Sequence, residues 1–261
     1  MNNKFPKELP ILIKGAGEMA SAIAVHLYKA GYIHICMTEL HRPLAISRQA
    51  CFSEALFKPV KTVNGVRARS VSQSRPIISS TWISGYIAIV EDPTADIIDQ
   101  IAPEIIIDAR NLKSVDDTSI SDAALVIGCG DAFKEGIHCH HRIAPAEKTS
   151  SIDKSSTDSV TKMKDKVLLW AEKDGTFNSL KKIGDTVKKN EVIALIDDTE
   201  ILSPIKGIIN SILRNKTSVT KGTRVAELIK NETGGSYTIR PRWIPVTEDV
   251  LKTVEDYILN R

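Results

Sequence analysis

The sequence predicts an α/β domain with a parallel β-sheet, followed by a small all-β domain. Residues 9–15 form an apolar run that ends in glycine, residues 18–30 carry apolar side chains at helical spacing, and residues 34–40 form a second apolar run. A strand, a helix and a strand in this order predict parallel strands joined by a right-handed crossover. After residue 166, short β-prone runs are separated by glycines, which indicates an all-β domain.

Three later runs predict further parallel strands in the first domain. Residues 86–93, 104–110 and 125–130 are rich in β-branched side chains and end in charged residues or glycine. Open parallel sheets bind ligands at the carboxyl ends of their strands, so the ends of these runs are candidate ligand positions. Asn64-Gly65 lies between alternating apolar residues and predicts a β-hairpin, which we expect to lie outside the sheet.

The second half of the chain begins with a polar segment rich in Ser, Thr and Lys, which is typical of a linker. Within the following β domain, residues 187–196 resemble residues 219–229, and two similar halves suggest a small pseudo-symmetric barrel. A helix is expected from Thr247, with its apolar face against this chain or a partner. The predicted boundaries are 1–147 for the α/β domain, 148–163 for the linker, 164–230 for the β domain and 231–261 for a C-terminal tail with a helix.

Composition excludes several classes of function. The 35 Lys and Arg residues nearly balance the 32 Asp and Glu residues, and a net charge of +3 predicts neither a nucleic-acid nor a membrane partner. No run of about 18 apolar residues and no signal-peptide pattern occurs, so we expect a cytoplasmic protein. The four cysteines are far apart and form no C-x-x-C, which predicts reduced thiols.

The turn between the first strand and the first helix carries the G-x-G-x-x-A form of the dinucleotide fingerprint. The motif consists of Gly15, Ala16, Gly17, Glu18, Met19 and Ala20. Gly15 permits the tight turn, and Gly17 leaves room for a pyrophosphate at the start of the helix. Glu39 follows 22 residues after Gly17, where an acid would accept from a ribose hydroxyl. The alternative is a Rossmann turn that is kept for packing and binds no phosphate. In addition, the Glu18 carboxylate would repel a pyrophosphate if its side chain pointed toward the ligand.

Other candidate ligand-binding residues follow later strands. Arg42 and Arg48 come just after Glu39 and offer guanidinium groups to a phosphate, unless they are solvated loop charges. Where the later strands end, we expect a polar rim made of acidic side chains, one arginine and backbone groups exposed at glycines. The alternative is that these residues cap the following helices. The rim residues that we select are Asp108, Arg110, Gly128 and Gly130.

No catalytic or metal-binding residue can be assigned from sequence. His138, Cys139, His140 and His141 resemble a metal-ligand cluster, but neighbouring residues of a strand point to opposite faces, so we predict no metal. No motif of a serine hydrolase, P-loop protein or zincin occurs. Whether the protein is an enzyme stays open.

Four stretches together resemble a known family. They read ILIKGAGEMASAIAVHLYKAG, TELHRPLAISRQACFSEALF, VNGVRA and VIGCGDAFKEGIHCHH. They are similar to the YqeB-type accessory proteins of selenium-dependent molybdenum hydroxylase systems, relatives of XdhC-like maturation factors. The matching residues are Gly15, Gly17, Arg48, Ser53, Glu54, Gly128, Gly130, Gly136 and His140. The sequence departs from the family pattern at Ser47, where a second arginine is expected, and at Asp131-Ala132, where Pro-Gly is expected.

The resemblance implies a Rossmann-like domain followed by a barrel-sandwich domain of the biotinyl/lipoyl type. It also implies an accessory protein that binds a nucleotide-like ligand, either the molybdenum cofactor (a pterin nucleotide) or NAD(P), during maturation of a molybdenum hydroxylase. The apo-hydroxylase would then be a protein partner, and a homo-oligomer stays open. The alternatives are an NAD(P)-dependent oxidoreductase and a non-catalytic docking scaffold.

Overall fold

The computed structural model describes residues 7–144, 159–162, 165–230 and 238–261. It divides into two compact units. The first consists of Met1–His41, Cys51–Glu147 and Thr238–Arg261, and the second of Arg42–Ala50 and Lys148–Tyr237. Most of the expected linker, 148–163, lies outside the described residues.

The first unit contains an eight-stranded sheet. Its strands are β1 Ile11–Lys14, β2 Ile35–Glu39, β3 Lys61–Val63, β4 Val66–Val71, β5 Ile87–Glu91, β6 Ile105–Asp108, β7 Leu125–Cys129 and β8 His141–Ile143, in the order β3-β4-β5-β2-β1-β6-β7-β8. Every neighbouring pair is parallel except β3 and β4. The central strands are apolar and buried on both faces, as parallel sheets require. The predicted α/β class with a parallel sheet is confirmed.

Helices cover the sheet of the first unit. They are α1 Glu18–Lys29, α2 Arg75–Ile83, α3 Ile98–Ile101 and α4 Ile244–Leu259, with 3-10 helices at Phe52–Phe57, Ile120–Asp122 and Pro241–Trp243. The C-terminal helix α4 packs against α1 and buries Val246, Val250 and Val254 in the same core. It starts three residues before the expected Thr247, after a 3-10 turn. The expected C-terminal helix is therefore present and belongs to the first unit.

The Asn64-Gly65 hairpin forms as predicted but joins the sheet. Both turn residues have positive φ, 46° and 86°, which is the conformation of a tight two-residue hairpin. The expectation that the hairpin lies outside the sheet is wrong, because β4 pairs in parallel with β5. Val63, Val66 and Ala68 become buried in the core of the first unit, which favours this placement.

The second unit is all-β as predicted, apart from the 3-10 helix Arg48–Ala50, and its neighbouring strands are antiparallel. They are β9 Val160–Lys162, β10 Lys166–Trp170, β11 Gly175–Ser179, β12 Thr186–Val187, β13 Val192–Ile196, β14 Thr199–Leu202, β15 Gly207–Ile212, β16 Thr217–Val219 and β17 Arg224–Ile229. One sheet has the order β12-β15-β17-β10-β9, and the other β14-β13-β11-β16. The first copy of the internal repeat contains β12 and β13, and the second copy contains β16 and β17. Each copy contributes one strand to each sheet, because β12 and β17 lie in the first of these sheets and β13 and β16 lie in the second.

A short segment that precedes the Phe52–Phe57 helix also belongs to the second unit. Ile46 lies in the apolar core of that unit, and its carbonyl oxygen accepts a hydrogen bond of 3.2 Å from the Ile212 N–H. The Arg48 Nε donates to the Ile212 carbonyl oxygen at 2.9 Å. Residues 42–50 are therefore an excursion from the α/β unit, which the linear division at residue 147 did not anticipate.

Candidate functional site

The direction of strand addition reverses at β1. The chain passes from β1 to β2 and β5 on one side, then crosses to β6, β7 and β8 on the other. In open α/β sheets this switch point opens a crevice at the carboxyl ends of the two central strands. Lys14, the last residue of β1, pairs with Asp108, the last residue of β6. The fingerprint turn and the Asp108–Arg110 segment therefore lie next to each other at the carboxyl ends of β1 and β6.

Gly15 and Gly17 have different structural positions. Gly15 has a φ of +94°, and an added Cβ would lie 3.1 Å from the Arg110 Cγ, so the fold itself requires glycine there. Gly17 has a φ of −68° and forms the N-cap of α1, and no described atom outside its chain neighbours lies within 4 Å of an added Cβ. Each of the other eleven described glycines has a positive φ or a contact within 4 Å. Nothing in the described fold therefore requires glycine at position 17.

Glu18, the first residue of α1, forms ion pairs with two arginines from the C-terminal segment. Its Oε1 accepts from the Arg240 Nε at 2.6 Å, its Oε2 accepts from the Arg240 Nη2, and the Arg242 Nη2 lies 3.5 Å from Oε2. The Glu18 side chain is only 8% exposed. Two cations therefore face one carboxylate, which offsets the repulsion expected from Glu18 at this turn. Sequence reasoning missed Arg240 and Arg242, because they lie more than 200 residues from Glu18 in the chain.

Glu39 contacts the fingerprint turn directly. Its Oε2 accepts a hydrogen bond of 2.9 Å from the Ala16 N–H, and its Oε1 accepts one of 2.8 Å from the Leu40 N–H. Burial raises the pKa of this carboxyl, although both backbone hydrogen bonds oppose the shift. Each carboxylate oxygen can still accept a second hydrogen bond, such as one from a ribose hydroxyl.

A network of charged side chains occupies the crevice at the end of β6. The Arg110 guanidinium donates to Asp108, which is fully buried, and to Asp117. The buried Lys14 Nζ donates to the Asp117 carbonyl oxygen at 2.6 Å and to the Thr118 Oγ1 at 2.8 Å. Burial lowers the pKa of Lys14, while hydrogen bonds from Arg110 lower the pKa of Asp117. The sequence selected Asp108 and Arg110 but missed Lys14 and Asp117.

Ser53, a residue of the family resemblance, lies against the fingerprint turn. Its N–H donates to the Ala16 carbonyl oxygen at 3.0 Å. The side chain is buried, and no hydrogen-bond partner for its Oγ is found among the described residues. An unsatisfied buried hydroxyl is costly and calls for a partner. The Met19 side chain, by contrast, is buried in the apolar core and serves packing.

Packing or backbone conformation accounts for the two remaining glycines of the predicted site, and the two remaining arginines lie in the other unit. A Cβ at Gly128 would lie 2.3 Å from the Phe133 Cγ, so this glycine makes room for an aromatic ring. Gly130 has a φ of +135°. Arg42 and Arg48 belong to the second unit. A ligand-binding role for these four residues stays a prediction.

Two histidines of the 138–141 cluster accept hydrogen bonds from the backbone. The His140 Nδ1 accepts from the Val126 N–H at 3.0 Å, and the His138 Nδ1 accepts from the Lys134 N–H at 3.2 Å. Within the described ranges, no group of three or more His, Cys, Asp or Glu residues is arranged to hold a metal ion. Burial raises the pKa of the Cys51 thiol, which disfavours the reactive thiolate.

No helix in the described part of the chain is both long and apolar enough to cross a membrane. No protein-family model matches the chain. A crystal structure of an aspartoacylase family protein from Mesorhizobium loti aligns over 86% of each chain with 10% identity, and its TM-score of 0.26 supports no argument about fold or activity.

One curated protein is similar in sequence. The uncharacterized protein YqeB of Escherichia coli strain K12 is 28% identical over 232 residues, which cover 84% of this chain and 42% of that protein. The chain thus spans less than half the length of this relative. The similarity extends across most of the present sequence and supports the YqeB-type resemblance.

Proposed function

We propose that the first unit is a Rossmann-type domain that binds the phosphate of a nucleotide-like ligand at the turn from Gly15 to Gly17. The observation that carries this proposal is Gly17 itself. Its backbone conformation suits any residue, and its Cβ position is open, so packing does not explain the glycine. A ligand that approaches the backbone at the start of α1 does explain it, because any side chain there would obstruct the anion.

The strand order supports the same reading. When the hairpin strands β3 and β4 are left out, six parallel strands remain in the sheet order β5-β2-β1-β6-β7-β8. If these six are renumbered 1 to 6 along the chain, their order in the sheet is 3-2-1-4-5-6. That is the order of doubly wound dinucleotide-binding folds, whose ligand lies at the switch point next to the first strand. Here the fingerprint turn follows β1, the first strand of that series.

Polar groups around the turn fit a phosphate-bearing ligand. Arg240 and Arg242 bring guanidinium groups to the first residue of α1, where both pair with Glu18. The helix start adds a partial positive charge. The buried Ser53 hydroxyl, hydrogen-bonded to no described residue, offers a donor beside the turn. Glu39 offers acceptor capacity on the same side, as ribose recognition requires.

We propose further that the protein is an accessory factor in the maturation of a molybdenum hydroxylase, with the molybdenum cofactor or NAD(P) as its ligand. This role comes from the YqeB-type resemblance of the sequence, and the similarity to the uncharacterized Escherichia coli YqeB supports that resemblance. In this reading the second unit is a barrel-sandwich domain that docks the apo-hydroxylase. The ligand, when bound, supplies the chemistry, and the residues of this chain bind and orient its phosphate.

Isothermal titration calorimetry of the full chain against NAD, NADP and a pterin phosphate tests the proposal. At least one of the three ligands is expected to bind the wild type. Gly17→Val should weaken that binding by more than about tenfold, since a branched side chain would occupy the approach to the helix start. Arg67→Ala, a change on the β-hairpin, serves as the control. Equal affinity of Gly17→Val and wild type would contradict the proposed site.

A further inference from the structure

Residues 109–119 form a loop that follows β6, next to the fingerprint turn. All of these residues are described, and none of them is part of a helix or strand. The loop leaves the end of β6 and leads to the 3-10 helix Ile120–Asp122. Its first residues, Ala109 and Arg110, lie against the fingerprint turn, because the Arg110 Cγ would be 3.1 Å from a Cβ at Gly15.

Arg110 is held between two carboxylates. On one side its Nε and Nη2 donate to the Asp108 Oδ1 and Oδ2 at 2.9 and 2.6 Å. On the other side its Nη1 and Nη2 donate to the Asp117 Oδ2 and Oδ1 at 2.6 and 2.7 Å. Both contacts are two-point contacts, which is the geometry that a guanidinium also uses for phosphate.

The two carboxylates differ in how firmly they are fixed. Asp108 ends β6, its side chain is 0% exposed, and it also accepts a hydrogen bond from the Thr118 hydroxyl. Asp117 lies in the loop, and its side chain is 39% exposed. Water competes with the guanidinium for this partly exposed carboxylate, so the Asp117 contact is the easier of the two to break. Asp117 is therefore the partner that another anion can replace.

Replacement keeps a negative group on the outer side of Arg110. The Asp117 carboxylate accepts from Nη1 and Nη2 there, while Asp108 accepts on the inner side. If the Asp117 carboxylate moves away, this outer side of the guanidinium loses both of these acceptors. A phosphate of the ligand presents a pair of oxygens to that side, as the Asp117 carboxylate does.

We infer that Arg110 recognises the ligand's phosphate, and that the Asp117 carboxylate occupies its place until the phosphate displaces it. This inference rests on the proposed function and adds to it an autoinhibitory contact. Asp108 is the fixed partner that orients the guanidinium. Lys14 is a positioning residue that fastens the loop through the Asp117 carbonyl oxygen and the Thr118 hydroxyl.

Calorimetry with inorganic pyrophosphate at constant ionic strength tests the inference on the full chain. Asp117→Asn removes the competing charge and is expected to bind pyrophosphate about tenfold more tightly than wild type. Asp116→Asn is the matched control, since it makes the same change in net charge at the neighbouring exposed residue and should change the affinity little. Arg110→Lys loses the paired N–H donors of the guanidinium and should bind pyrophosphate at least about tenfold more weakly. Adding Asp117→Asn to Arg110→Lys should restore little of the lost pyrophosphate affinity.

The outcomes separate this inference from the proposed function. Equal gains in Asp117→Asn and Asp116→Asn would reduce the effect to net charge and overturn the inference. Undetectable or weakened pyrophosphate binding by Asp117→Asn would overturn it as well. If Gly17→Val abolishes nucleotide binding while Asp117→Asn gains nothing, the proposed function stands and the Asp117 contact is structural. If Asp117→Asn gains affinity but Gly17→Val binds normally, the fingerprint site fails and the Arg110 site stands.

Discussion

Replacing Gly128 with alanine is expected to destabilise the first unit, whereas the same replacement at Gly17 is not. A Cβ at Gly128 would lie 2.3, 2.4 and 2.8 Å from the Cγ, Cδ1 and Cβ of Phe133. Phe133 is 3% exposed and packed in an apolar core, so its ring has no open space to move into. Overpacking of this kind costs about 1–3 kcal/mol.

The cost corresponds to a measurable shift in melting temperature. A change of about 1 kcal/mol shifts the melting temperature of a domain of this size by about 2–4 °C, so Gly128→Ala should lower it by about 2–12 °C. At Gly17 an alanine meets no described atom. Alanine is a poorer N-cap than glycine, but it also reduces the entropy of the unfolded chain, and the two effects nearly cancel. Gly17→Ala should therefore shift the melting temperature by less than about 2 °C.

Differential scanning calorimetry of the two single variants and the wild type measures this difference. Adding Phe133→Leu to Gly128→Ala should recover part of the loss, because the leucine side chain lacks the ring that the new methyl group meets. If Gly17→Ala destabilises the protein as much as Gly128→Ala, position 17 is a packing position. The argument that Gly17 exists for a ligand would then fail.

Three further predictions follow from the contacts within each unit. Trypsin should cut within 148–163 and give fragments of about 16 and 11 kDa. The two fragments should stay together until they are denatured, because each unit combines segments from both sides of the cut. Fragments that separate on a native sizing column would contradict this. Arg48→Ala should lower the free energy of unfolding of the second unit by about 1 kcal/mol in urea, because it removes the hydrogen bond to Ile212. Unchanged stability with tenfold weaker ligand binding would instead support its predicted ligand role. Hydrogen bonds from Arg110 lower the pKa of Asp117, so its charge contributes fully to stability above its unfolded pKa of about 3.9. The difference in melting temperature between wild type and Asp117→Asn should shrink as the pH falls below that value and vanish once the pH is below the lower pKa of the folded state. A difference that persists in strong acid would show that the charge of Asp117 is not its cause.

The local part of the site could be predicted from the sequence. A glycine-ended strand followed by a helix fixes the position of Gly15 and Gly17, and the parallel topology brings Asp108 and Arg110 to the same crevice. Periodicity and turn chemistry act over a few residues, which is why these elements were predicted correctly. The same short range explains why the hairpin was recognised but its pairing with β5 was not.

Contacts between distant segments could not be predicted in this way. The ion pairs from Arg240 and Arg242 to Glu18 depend on how α4 packs against α1, and no local pattern encodes that packing. Residues 42–50 contact the second unit through the buried Ile46, its backbone hydrogen bond to Ile212 and the hydrogen bond from the Arg48 side chain, and these contacts have no distinctive sequence signal. Asp117 was overlooked because a loop aspartate is usually a solvated charge.

Native mass spectrometry of the full chain, purified from its own host, tests most directly whether the protein carries a nucleotide-like ligand. Metal analysis of the same sample would distinguish a pterin with molybdenum from NAD(P). We predict an added mass equal to a nucleotide or a pterin nucleotide on the wild type, and its loss in Gly17→Val. A wild type without such a ligand, or the same added mass on both proteins, would contradict the account.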